Sequence, residues 1–202
     1  MIYKLIKRLA DILISLILLV VLSPLMLIVA ILIKADSAGG VIHARECLTK
    51  GGTFSMYKFR SMVKDAYDYD KHLSPKQREE YEREIKIDDD PRITRVGRIL
   101  RKLSIDEIPQ LINVLAGQMS LVGPRPVAKE EASAYGDDLD RVLSVKPGMT
   151  GYWQTHGRSD VTYSSGRRQE LELYYVDHCG LLLDFKILIR TVFVVFGRKG
   201  VK

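Results

Sequence analysis

The sequence predicts a mainly α protein with a few short strands: a re-entrant membrane helix hairpin over residues 1–34, joined to a second domain over residues 35–202. Three observations point there. Residues 12–33, ILISLILLVVLSPLMLIVAILI, carry no charge, and their only polar side chains are Ser15 and Ser23. At 1.5 Å per residue they make roughly 33 Å of helix, enough to cross a bilayer core. Beyond them, apolar residues recur at helical spacing in several segments separated by glycine- and proline-rich stretches.

The apolar stretch does not fit a secretory signal, because it is too long and no clean small-x-small cleavage site follows. Nor does it fit a simple spanning helix. Ser23-Pro24 sits near its middle, where a proline removes one backbone hydrogen bond and kinks the helix. Lys4, Lys7 and Arg8 precede it, and Lys34, Arg45 and Lys50 follow, so neither flank favours the outside. A helix broken at Ser23-Pro24 that enters and leaves on one face resolves the conflict. Asp11 then lies near the interface, where a carboxylate costs less than at the midplane.

The remaining elements follow from local pattern. Residues 35–53 read as turns with one short strand over 41–44, and FSMYKFRSMV (54–63) fits a strand or a helix start. SPKQREEYEREIK begins an exposed helix with Pro75 at its first position. Asp88-Asp89-Asp90-Pro91 ends it, as a solvated turn more readily than a cation site. RITRVGRILRKL (92–103) has apolar residues at 93, 96, 99, 100 and 103, a helical stripe backed by a basic face. A second helical stripe runs through 108, 111, 112 and 115. GQMSLVGPRPV (117–127) and KPGMTGYWQTHGRSD (from Lys146) read as structured loops. Residues 129–145 form one helix or two short ones, and 166–177 another. LLLDFKILIRTVFVVF (181–196), interrupted by Asp184, Lys186 and Arg190, is either a buried core helix or an interfacial amphipathic one. The basic tail after it suits anionic lipid headgroups.

Thirty-one Lys and Arg against 25 Asp and Glu leave a formal charge of +6, which fits an anionic partner or a solubilising surface. No nucleic-acid motif or spaced stacking aromatics accompany it, which argues against nucleic acid. Cys47 and Cys179 form no CxxC or Cys/His pattern and fit free thiols in a reducing compartment.

The candidate centre is LSIDEIPQL, residues 103–111. Pro109 is tolerated only in a first helical turn, so the helix starts near Ile105 or Asp106. Asp106 and Glu107 then sit at a positive helix end that favours their ionised forms. Such a pair fits metal binding with nucleophilic attack. The stretch from Ser104 to Glu107 also fits a capping box with no chemistry, and taken alone it favours that reading. Around the pair in sequence lie Lys58, Arg60, Arg92, Arg95, Arg98, Arg101, Arg125 and Arg158. Arg125, fixed between Pro124 and Pro126, suits a phosphate. A hydrophobic anchor, arginines in rigid loops and a carboxylate pair together point to lipid phosphate chemistry.

Five stretches jointly resemble the bacterial sugar transferases, small monotopic phosphoglycosyl transferases, over essentially the whole chain. They are KRLADILISLILLVVLSPLML, MYKFRSM, DDPRITRVGRILRKLSIDEIPQLINVLAGQMSLVGPRPV, VKPGMTGYWQTHGRSD and YYVDHCGLLLDFKILIRTV. The resemblance implies a catalytic domain on the cytoplasmic face of the bacterial inner membrane, with interfacial helices and a helix break at Ser23-Pro24. It implies a ping-pong reaction in which Asp106 attacks the β-phosphate of a UDP-sugar and UMP leaves. Undecaprenyl phosphate then takes the phosphosugar from the aspartyl intermediate, as the first membrane step of surface polysaccharide assembly. It implies Mg2+ as cofactor with Glu107 as ligand, Arg125 on a phosphate and Arg158 on the nucleotide sugar. Lys58, Arg60 and Asp184 line or brace the site, or form structural salt bridges. GYWQTHGRSD looks closer to the hexose branch, glucose or galactose; the alternatives are an N-acetylated amino sugar and a catalytically silent membrane-surface adaptor. Ile42-His43-Ala44-Arg45-Glu46 departs from the usual pattern by lacking its glutamine. His156 stands where a small or amide residue is usual, and Ser164 to Arg168 is also unusual.

Overall fold

In a computed structural model, which describes residues 2–84, 87, 89–157 and 165–196, helix α1 (Ile2–Asp36) leads into an antiparallel hairpin of β1 (Ile42–Thr49) and β2 (Gly52–Phe59). Short helices α2 (Tyr69–His72), α3 (Pro75–Glu84) and α4 (Arg95–Lys102) follow, then a 3-10 turn (Ile105–Glu107) and α5 (Gln110–Leu115). Strand β3 (Ser120–Val122), a 3-10 segment (Lys129–Asp138), α6 (Leu139–Val142), strand β4 (Gly148–Thr150) and α7 (Tyr152–His156) lead to two longer helices, α8 (Arg167–His178) and α9 (Leu181–Phe196). The described residues are mainly helical, with few short strands.

The hairpin expected at the amino terminus is one helix of 35 residues that runs through Pro24. Pro24 has no N–H to give the carbonyl four residues back, Val20. The Ser23 hydroxyl donates to that carbonyl instead, at 2.8 Å, so no backbone acceptor is stranded in apolar surroundings. One stripe of α1 packs on the rest of the protein. Asp11, Ser15, Val29 and Ile33 are buried, and Leu19, Leu22, Leu25 and Met26 are half-buried against the core. The other faces, including Leu5, Leu9, Leu13, Leu16, Ile17, Val20, Val21, Leu27, Ile28 and Ile31, are exposed. Asp11, expected at the membrane interface, points inward and accepts the Leu121 amide at 3.0 Å. Arg8 donates to the Val114 and Leu115 carbonyls at 2.6 and 2.8 Å, closing the carboxyl end of α5. At the far end Asp36 accepts the Val96 amide.

Four local expectations need correction. The stretch read as turns with a strand over 41–44 is an eight-residue strand, because β1 and β2 zip in register from Ile42–Phe59 to Thr49–Gly52 around Lys50 and Gly51. The two segments read as loops contribute a parallel pair, Ser120 to Gly148 and Val122 to Thr150. The second helical stripe divides into the 3-10 turn and α5, with Pro109 capping α5 instead of lying in its first turn. The helix read over 92–103 covers only Arg95–Lys102, with Ile93 drawn into a β-bridge to Met62. Of the two readings for residues 129–145, two short helices hold: a 3-10 segment that kinks at Gly136, then α6. Ser74 and Gln77 cap α3 reciprocally, the Ser74 amide donating to Gln77 Oε1 at 3.0 Å and the Gln77 amide to Ser74 Oγ at 3.4 Å. In the aspartate run, Asp90 grips Arg92 at 2.8 and 2.6 Å and closes a turn; Asp88 lies outside the described residues.

The main core gathers Cys47, Phe54 and Met56 of the hairpin, Leu111 and Val114 of α5, Met119, Leu121, Tyr175 and Ile187. A second cluster joins Val29 and Ile33 of α1 to Phe59 and Leu100. Helix α9 buries Asp184 and Ile187 but exposes Leu182, Phe185, Ile189, Val192 and Phe193. It is therefore the amphipathic surface helix of the two alternatives, apolar side out.

Three glycines lock the two loops beside β3 and β4. The Gly148 amide donates to Pro124 O at 2.8 Å, and the Gly123 amide to Thr150 O at 2.9 Å. A Cβ at residue 148 would lie 2.0 Å from the Gly123 nitrogen, and one at residue 151 would lie 2.1 Å from the Gly123 oxygen. Both contacts are with backbone, which cannot swing aside. Gly148→Ala should therefore cost about 1–3 kcal/mol or more, as overpacking does. Gly51→Ala, where a Cβ would meet nothing within 4 Å, should be close to neutral; thermal unfolding of both variants in detergent checks the contrast.

Candidate active site

Helix α4 ends at Leu103, and Ser104 turns the chain with a left-handed backbone, φ 55° and ψ 22°. A non-glycine residue in that region is uncommon, and such strain gathers at functional turns. The Ser104 side chain makes no capping hydrogen bond, so the capping-box reading of Ser104 to Glu107 does not hold. The 3-10 turn instead presents two adjacent carboxylates in different settings. Asp106 is buried, and burial raises its pKa; Lys58 opposes the rise and Glu107 adds to it. Glu107 is half-exposed and its Oε1 accepts from Lys58 Nζ at 2.8 Å. Lys58 comes from the end of β2, opposite His43.

Lys58, Glu107 and Arg125 line one cleft of about 850 Å³, open mouth included. Gln110, Trp153 and Gln154 line it too, and Thr191 and Val194 of α9 form part of its wall. Arg125 is held from behind. Its amide donates to Glu172 Oε2 at 2.8 Å, and its buried Nε has no protein partner. Burial works against its charge, but the carboxylates of Glu131, Glu107 and Glu172 outweigh this and raise its pKa. Glu131, itself buried, takes Arg45 at 3.4 Å and Arg168 at 3.3 Å. Burial alone would raise the Glu131 pKa, yet Arg125, Arg168 and Arg45 leave it lowered. The cleft thus offers a buried carboxylate beside it, a carboxylate–lysine pair and an arginine N–H with no protein acceptor. That set suits a phosphate-bearing ligand.

Of the residues singled out from sequence, Asp106, Glu107, Lys58 and Arg125 come together here. Arg60 and Asp184 do not. The Arg60 guanidinium clamps the end of α1, donating to Ser37 O at 2.8 Å, Ser37 Oγ at 2.7 Å and Gly40 O at 2.5 Å. Asp184 accepts from Lys7 at 2.7 Å, Tyr3 at 3.0 Å and Tyr175 at 2.6 Å, tying α9 to the start of α1. Both fill the structural role that sequence left open for them. Arg158 lies outside the described residues. His156 stacks on Tyr152 and meets Arg190, a packing role. Sequence reasoning did not assign Arg45, Glu131, Arg168, Glu172, Trp153 or Gln154 to the site. Only Arg45 left a legible signal, because His43, Arg45 and Cys47 alternate onto the inner face of β1.

A model of the bacterial sugar transferase family matches residues 2–198. The chain belongs to that family. Among curated relatives, an undecaprenyl-phosphate galactose phosphotransferase of Salmonella typhimurium is 43% identical over 98% of this chain and 42% of its own length. The exopolysaccharide production protein ExoY of Sinorhizobium fredii is 39% identical over 96% of this chain and 87% of its own. A UDP-N-acetylgalactosamine-undecaprenyl-phosphate N-acetylgalactosaminephosphotransferase of Aeromonas hydrophila is 38% identical over 98% and 46%. The chain thus spans less than half the length of the Salmonella and Aeromonas proteins.

Glu172 gives a direct check on the charge cluster. It is fully buried, and burial pushes its pKa from 4.5 to about 7 against the pull of Arg168 and Arg125. The folded protein therefore holds a proton that the unfolded chain releases. The stabilisation is complete below pH 4.5 and is lost as pH rises to about 7, on the order of 3 kcal/mol in full. Glu172→Gln, which cannot ionise, should flatten the fall in unfolding midpoint across that window.

Proposed function

We propose that this chain moves a sugar-1-phosphate from a UDP-sugar to undecaprenyl phosphate, through a phosphosugar intermediate on Asp106. The supporting observation is the buried Asp106 carboxylate, whose ionised form burial disfavours and whose charged neighbours include Lys58 and Glu107; those two line the adjoining cleft together with Arg125. A carboxylate poorly stabilised as an anion gains by forming a bond to phosphorus. An Asp106 oxygen attacks the β-phosphorus, the bond to the bridging oxygen breaks, and UMP departs. A phosphate oxygen of the lipid then attacks the same phosphorus and the aspartate leaves. Arg125 and Lys58 carry positive charge to the phosphoryl oxygens in both steps.

Asp106 and Glu107 are adjacent hard-oxygen donors, and among the described residues no cluster of three or more His, Cys, Asp or Glu could hold a metal ion. That donor set fits magnesium, which binds through one or two carboxylates and takes its other ligands from phosphate and water. Glu107 would hold it, and bound there the ion would neutralise diphosphate charge. The silent-adaptor alternative gives no use to a desolvated Asp106.

The transferred sugar is read as a hexose, galactose or glucose, in line with GYWQTHGRSD and with relatives named for galactose. The relative named for N-acetylgalactosamine supports the amino sugar as second reading.

The membrane arrangement is read as re-entrant, on the cytoplasmic face. Straight, α1 would be about 52 Å long, yet its stripe from Asp11 to Ile33 packs on one domain. A helix crossing the bilayer could not keep a water-facing domain along that length. The exposed faces of α1 and α9 are both apolar, which supports their lying in lipid, with anionic headgroups near the basic residues.

With Mg2+, UDP-galactose or UDP-glucose and undecaprenyl phosphate, the wild type should release UMP. Asp106→Asn should lose roughly a thousandfold or more, as removal of a nucleophile does. Intact mass after UDP-sugar alone should show a phosphohexose adduct on wild type but not on the variant; UMP release by the variant at the wild-type rate would sink the assignment. For topology, Ile2→Cys should resist an impermeant thiol reagent on intact cells and react after lysis. Labelling of intact cells would exclude re-entry.

A further inference from the structure

The mechanism leaves part of the cleft lining unused. Beside Lys58, Glu107 and Arg125, the cleft is lined by Trp153 and Gln154, consecutive on α7. Trp153 Nε1 and Gln154 Oε1 are both shut off from solvent, and neither has a hydrogen-bond partner. One is a donor and the other an acceptor, and both are neutral. An unmatched buried polar atom costs roughly 1–3 kcal/mol, so two on neighbouring residues in one cleft call for a ligand that supplies the missing bonds.

Their position is fixed. Gly151, which precedes α7, packs against the Gly123 backbone, so the Trp153 turn is tied to the loop that carries Arg125. One face of the indole is covered by the Arg168 guanidinium, 4.9 Å from the ring centroid, and Arg168 is anchored by Glu131. The ring is thus braced from behind by the same charge cluster that holds Arg125.

We infer that Trp153 and Gln154 form a recognition subsite for a neutral ring of the nucleotide sugar, one that presents a donor and an acceptor on one edge. Two parts of the substrate have that chemistry: the hydroxyls of the transferred hexose and the imide edge of the uracil. The inference rests on the proposed UDP-sugar substrate.

Trp153 is the chain's sole tryptophan, so its fluorescence reports on this subsite. The purified full chain in detergent with Mg2+ is titrated with UMP and, separately, with UDP-galactose. An emission change with UMP places the uracil at the subsite; a change with UDP-galactose alone places the hexose there. No change with either, while UMP is released in turnover, would overturn the subsite and leave the proposed function standing. UMP release that never occurs with any UDP-sugar would sink the proposed function, and the emission titration would still decide the subsite. Trp153→Phe and Gln154→Ala should each raise KM for the UDP-sugar roughly 3- to 10-fold, the worth of one neutral hydrogen bond, with a cooperative unfolding transition retained as proof that the fold is intact. If uracil is the group bound, inhibition by UMP weakens in parallel. If the hexose is bound, UMP inhibition holds and the preference between UDP-glucose and UDP-galactose shifts. Unchanged KM, inhibition and preference in both variants would equally overturn the subsite.

Discussion

Much of this protein is arranged around keeping one arginine charged and aimed at the cleft. Arg125 cannot be placed by its own loop alone, although two prolines restrict it. Its amide is gripped by Glu172, and its charge is answered chiefly by Glu131 and Glu107. Glu131 needs Arg45 from β1 and Arg168 from α8. The hairpin, the 3-10 segment and α8 are therefore joined through alternating charges, each partly desolvated. Removing one member of such a chain strands its neighbours, which is costlier than never having placed them there. The same chain braces the tryptophan on α7, so the arginine and the tryptophan of the cleft share one foundation.

The second constraint is apolar. Helix α1 uses one stripe to build the core and leaves the rest of its surface as exposed Leu, Ile and Val. Helix α9 does the same on a smaller scale. Polar ties at both ends of α1, through Arg8 and Asp11 and then Asp36, set its register on the domain.

The parts legible in sequence were those with local causes. The length of the apolar run and the start of α3 at Ser74-Pro75 follow from composition and local pattern, and the structure has them; of the stripe read over 92–103 only the centre survives, with Leu100 buried but Ile99 and Leu103 exposed. Asp106, Glu107 and Arg125 stood out because proline and glycine fixed the backbone around them. The parts that sequence hid depend on distant partners. β3 and β4 are three residues each and exist only by pairing across 27 intervening positions, Ser120 with Gly148. The 3-10 turn at Asp106 hangs on a left-handed Ser104, a conformation that no propensity favours. Glu131, Arg168 and Glu172 look like ordinary surface charges until the fold buries them. For Arg60 the sequence left a site role and a structural role open, and only the fold shows its guanidinium holding a helix end.

The wall formed by Thr191 and Val194 carries a further consequence. They belong to α9, whose outer surface is apolar, so the cleft borders an exposed apolar side of the molecule. For the proposed reaction, the two substrates then arrive by different kinds of space. The donor is drawn from a volume, and its supply is a concentration. The acceptor slides within a sheet, and its supply is a number of lipids per unit area. Diluting the aqueous phase would starve only the first half of the cycle; diluting the acceptor with inert lipid would starve only the second.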